Sequence, residues 1–151
     1  MESHNKTYMK ALAIILPILQ KYNIESVEVS FEGCGDDGAI HDITFTPSLS
    51  PELEELQIDY QTASRAFSDG KWLWHSIEKT GPVQDVIEKL TYEFLETTQV
   101  DWYNNEGGFG KLVIDTKEES VSLDVNVNYY ESSNEFSSKL SINTGEDILA
   151  N

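Results

Sequence analysis

From Val121 to Tyr129 apolar and polar residues alternate without a break: Val121, Leu123, Val125, Val127 and Tyr129 against Ser122, Asp124, Asn126 and Asn128. Neighbouring side chains of an extended chain point to opposite faces. The pattern therefore describes a strand with one buried side, and it is incompatible with a helix, whose apolar stripe recurs every three or four residues. Val27, Val29 and Phe31 alternate in the same way with Glu28, Ser30 and Glu32, and Ile43 and Phe45 with Asp42, Thr44 and Thr46. The run between these last two segments, Gly33 to Gly38, reads as a tight turn.

Two other segments carry the helical period. Residues 5–22 place Tyr8, Leu12, Ile15, Leu19 and Tyr22 on one side, and Pro17 is expected to kink that helix or end its regular part. Residues 82–98 place Val83, Val86, Ile87, Leu90 and Phe94 on another, with Pro82 suited to the first turn and Asp85 near the positive end. A strand at 109–116 precedes the long one. The order predicts an α+β fold: an antiparallel sheet of four to six strands with two helices packed on one face, arranged α-β-β-(β-β)-α-β-β. A single domain accounts for 1–151, with 47–81 as a variable insert and the Ser-, Asn- and Glu-rich 132–151 as a loosely ordered tail. Within the insert, 56–67 and 71–77 pair as a hairpin across Ser68-Asp69-Gly70, or a short helix starts at Pro51 with Ser50 as its cap.

Charge sets the functional classes. The chain carries 27 Asp and Glu against 10 Lys and Arg, a formal net charge of −17. Between Tyr22 and Ser64 there are ten carboxylates and no Lys or Arg. Phosphate binding needs clustered cations, so duplex nucleic acid and an anionic membrane surface are excluded as direct ligands. The apolar run Met9–Leu19 is too short to span a bilayer and reads as a core helix, not as a signal segment. The lone Cys34 fits a reducing, cytoplasmic setting.

Two glycine-rich loops carry a family resemblance. Phe31-Glu32-Gly33-Cys34-Gly35-Asp36-Asp37-Gly38-Ala39-Ile40 and Trp102-Tyr103-Asn104-Asn105-Glu106-Gly107-Gly108-Phe109-Gly110 resemble two elements of a family of small acidic bacterial proteins built on a domain of unknown function. The resemblance covers roughly 24–46 and 82–140. It implies cargo of plasmids, phages and other mobile elements, with anti-defence or maintenance roles, and no assigned chemistry.

The residues themselves argue against most chemistry. Asp36, Asp37, Asp42, Asp101 and Glu106 have oxygen ligands for a divalent cation but lack EF-hand spacing, and Asp or Asn beside Gly is what tight turns select. Cys34 and His41 suggest a nucleophile and base, yet surrounding carboxylates oppose a thiolate, and strict alternation puts His41 on the apolar side of its strand. Gly33-x-Gly35-x-x-Gly38 leads into a strand instead of a helix N-terminus, so it is not a dinucleotide loop. No cofactor and no catalytic residue is expected.

What remains is a surface. If the helices cover one face, the other displays Glu28, Glu32, Asp42, Asp115 and Asp124, with Lys111 as its one expected cation. The Asp36-Asp37 turn and the Trp102-Tyr103-Asn104-Asn105-Glu106 loop extend that surface. The expected function is a non-enzymatic module that binds a basic host protein, a nucleic-acid-binding effector or nuclease, as an inhibitor of the nucleic-acid-mimic type. An immunity protein capping a cognate toxin, and a small metal-dependent hydrolase using the two acidic loops, are the alternatives.

Overall fold

The computed structural model describes residues 7–34, 37–98, 100, 107–128 and 132–148. Along these run α1 (Thr7–Lys21), β1 (Ser26–Cys34), β2 (Asp37–Thr46), α2 (Pro51–Glu55), β3 (Ile58–Ser68), β4 (Lys71–Gly81), α3 (Val83–Thr98), β5 (Gly108–Asp115), β6 (Ser120–Asn128) and β7 (Ser132–Ser141). Five strands form one antiparallel sheet in the order β2-β1-β5-β6-β7, and β3 and β4 form a separate two-stranded ribbon. This is the expected α+β class. No helix among the described residues is long and apolar enough to cross a membrane.

The apolar phase of each strand becomes the core. Val27, Val29 and Phe31 of β1, Leu112 and Ile114 of β5, and Val121, Leu123 and Val125 of β6 are buried in one cluster with Leu12, Ile15 and Leu19 of α1 and Val86, Ile87, Leu90 and Phe94 of α3. An aromatic chain crosses this layer: Tyr8 stacks on Phe94 at 4.4 Å, and Phe94 meets Phe136 of β7 edge-on at 6.5 Å. At the sheet's centre Phe31 pairs with Gly110. A Cβ on Gly110 would lie 2.7 Å from the Phe31 ring and 2.0 Å from the Asp124 carbonyl oxygen. The glycine is there because the ring and the next strand already fill its side-chain space.

Helix α1 continues through Pro17 to Lys21. The proline is exposed, so the carbonyl deprived of its donor faces water. The helix ends in a Schellman motif: Asn23 adopts φ 62°, its N–H donates to Gln20 O, and Ile24 N–H donates to Leu19 O at 2.9 Å.

His41 departs from the expected alternation. Ser30 faces Asp42 but Phe31 faces Ile40, so His41 is the extra residue of a β-bulge and lies exposed. The bulge shifts the phase by one residue and keeps both Ile43 and Ile40 against the core. Tyr92 of α3 secures the step, its hydroxyl oxygen accepting from Ile40 N–H at 3.0 Å.

The segment expected as a loose tail supplies β7 instead, paired with β6 along its length. Phe136, Leu140 and Ile142 pack on or within the core, and Ser138 is buried between them. Their alternation survives the polar composition and gives the strand its buried side.

The segment 47–81 holds both of its alternatives. Ser50 Oγ accepts from Leu53 N–H at 3.2 Å and caps α2, with Pro51 in the first turn. The ribbon then turns at Asp69 (φ 52°) and Gly70 (φ 77°), the positive pair of a type I′ hairpin. Its base packs through buried Ile58, Tyr60 and Thr62. Glu93 of α3 accepts from Thr62 Oγ1 and from Ala63 N–H, holding the β3 edge, while its other oxygen is buried with no partner among the described residues.

Gly110→Ala is expected to lower stability by about 3 kcal/mol, read as a fall in the urea midpoint, because one neighbour in its way is backbone. Burial, the dominant influence, holds the Glu93 carboxyl above the ordinary carboxylate range, against the bonds from Thr62 and Ala63 and the charge of Lys89. A carboxyl raised by folding adds stability in full below its ordinary value of 4.5, and loses that contribution as pH climbs through the raised one. Glu93→Gln is thus expected to flatten the decline in urea midpoint that wild type shows as pH rises above 4.5.

Candidate functional site

The helices occupy one face of the five-stranded sheet, and the other face lies open. Register sets its rows. Thr44, Glu28, Val113, Ser122 and Lys139 form one; Asp42, Ser30, Lys111, Asp124 and Ser137 form the next. Beyond the bulge a third row runs Ala39, Glu32, Phe109, Asn126 and Asn134. Strands in such a sheet lie about 4.8 Å apart, and residues on one face of a strand about 6.5 Å apart.

The acids on this face fall into two groups. Glu28, Glu32 and Asp42 are exposed and have no hydrogen-bond or ion-pair partner among the described residues. Asp115 and Asp124 are engaged. Asp115 Oδ1 accepts from Lys117 N–H and Glu118 N–H, both at 3.0 Å, and so builds the β5–β6 turn. Asp124 Oδ1 accepts from Ser137 Oγ at 2.6 Å and ties β6 to β7. A polar ladder continues the tie: Asn134 Nδ2 donates to Asn126 Oδ1 at 2.8 Å, and Ser137 Oγ also lies 2.9 Å from Asn134 Oδ1.

Between the rows is a shallow cleft of about 330 Å³, floored by Phe109 and Gly110 and walled by Glu28, Lys111, Asp124 and Asn126. Phe109 is 42% exposed. Lys111 is joined on this face by Lys139, which pairs with Ser122 in register and forms a 2.7 Å ion pair with Glu118. Lys111 is therefore not the face's only cation, and the alternation of Phe136, Ser138 and Leu140 is the sequence signal that could have placed Lys139 there.

The remaining candidates are placed in part. Asp37 opens β2, its backbone paired with Cys34. Asp36, Trp102, Tyr103, Asn104, Asn105 and Glu106 lie outside the described residues. Among the described residues no group of three or more His, Cys, Asp or Glu is placed to hold a metal ion.

An α+β protein with helices on one side and an open acidic sheet on the other is the class these features define. The chain belongs to the DUF6878 family, described as a family of unknown function, whose model matches residues 7–140. That match takes in β1–β2, the ribbon segment between the two glycine-rich loops, and most of β7. No curated protein and no solved structure matches the chain.

The two groups of acids should separate by stability. Asp115→Ala is expected to cost about 1 kcal/mol by freeing two turn amides, whereas Glu32→Gln and Asp42→Asn should stay within about 0.5 kcal/mol of wild type in urea unfolding.

Proposed function

We propose that this protein is a non-enzymatic binding module whose open sheet face engages a basic, nucleic-acid-handling protein and blocks it. The observation that carries the reading is the trio Glu28, Glu32 and Asp42: exposed, without partners among the described residues, and held in register on a rigid sheet. Glu28 and Glu32 stand about 13 Å apart along one strand, with Asp42 a strand away and between them. Charge carried on paired strands needs no backbone reordering on binding, and its surplus favours fast, electrostatically steered association. The cleft around Phe109 adds an apolar centre among the charges, the arrangement in which aromatic anchors contribute most. The surplus of negative charge over the whole chain supports the same choice of partner. The likeness to mobile-element cargo supports a host defence protein as the target.

The test compares immobilised wild type with a Glu28→Gln, Glu32→Gln, Asp42→Asn triple variant in lysate at low and high salt, with duplex DNA as competitor. Wild type should retain basic nucleic-acid-binding proteins that salt and DNA both release, and the variant should lose most of them. Capture that the triple variant retains in full, or that salt leaves unchanged, would overturn the reading.

A further inference from the structure

The β3–β4 ribbon carries a surface with different chemistry from the sheet face. Four of the six exposed large hydrophobic residues described lie on it: Phe67 and Trp72, each about three-fifths exposed, Leu73 and Ile77. Phe67 and Trp72 are cross-strand partners whose rings meet edge-on at 5.6 Å. Leu73 pairs with Ala66 and Ile77 with Thr62, which puts both on the side that Ile58 and Tyr60 bury at the ribbon's base. Each side of the outer ribbon therefore carries exposed apolar side chains, for which water is an unfavourable neighbour.

The two long edges of the ribbon also differ. Glu93 of α3 binds Thr62 and Ala63 and so covers the β3 edge. Strand β4 has β3 as its only strand neighbour among the described residues. Lys71 lies at one end of β4 and Glu78 and Lys79 at the other, but Trp72 to Ile77 holds no Asp, Glu, Lys or Arg, no proline and no glycine. An uncharged, strand-forming edge of this kind is a template for another strand.

Charge selects the occupant. Residues 61–77 contain Arg65 and Lys71 against the single carboxylate Asp69, in a chain whose net charge is −17. Two copies repel over much of their acidic surfaces, and this part of the ribbon, with a small positive surplus, adds nothing to that repulsion. We propose that the ribbon is a homodimerisation arm: β4 pairs antiparallel with β4 of a second copy about a two-fold axis, giving a four-stranded β3-β4-β4-β3 sheet. The arrangement is isologous and closes on itself, so it buries the apolar edge without generating a filament. It does not depend on the role given to the open sheet face.

Sedimentation over a concentration series tests it. Wild type should move from 17.1 kDa to twice that mass. Added salt should preserve or strengthen the dimer, because it screens repulsion between two acidic chains. Leu73→Lys with Ile77→Lys, confirmed as folded by circular dichroism, should remain monomeric. On wild type alone, hydrogen exchange at dilute and concentrated protein should show added protection in the β4 amides. A monomer at every concentration overturns the proposal. So do a dimer that survives the double substitution, protection confined to other strands, and open-ended assembly.

Discussion

The seat of the Phe31 ring over Gly110 is the contact on which the sheet depends. β1 and β5 are neighbours near its centre, and each carries a further strand on its outer side. A side chain at position 110 would meet the ring and the Asp124 backbone together, so β1, β5 and β6 approach as they do only because that atom is missing. An aromatic ring lying across a glycine of the facing strand covers backbone that would otherwise be poorly packed. Both residues come from the glycine-rich segments that mark the sequence. The last glycine of the second segment thus has a packing role, and the open cleft lies on the other side of the same strand.

Much of this was legible in sequence because period is a geometric signal. β1, β6, α1 and α3 follow from apolar spacing, and the ribbon turn from Asp69-Gly70, a pair suited to positive φ. The exposure of His41 is not legible in sequence, because a bulge breaks phase without changing composition and only the pairing of Phe31 with Ile40 reveals it. β7 was obscured in the opposite way. Its serines and asparagines resemble a disordered tail, and the alternation of Phe136, Ser138 and Leu140 was outweighed by composition.

The candidate site was legible in position but not in use. Strand phase alone puts Glu28, Glu32, Asp42 and Asp124 on the uncovered face. It does not show that Asp124 is tied to Ser137, since that bond needs β7. Nor does it separate Asp115, which serves its own turn, from acids that face water alone. A carboxylate's neighbours along the chain are known from sequence, whereas its neighbours across strands depend on topology.

The ring contacts of Tyr8, Phe94 and Phe136, the first stacked and the second edge-on, join α1 to β7 through α3. Synthesis proceeds from the N-terminus, so Tyr8 and Phe94 can meet while β7 is still inside the ribosome. For that interval one side of Phe94 has no cover, and contacts so distant in sequence form slowly. The surplus of negative charge then has a use of its own, keeping incomplete chains apart until β7 closes the sheet.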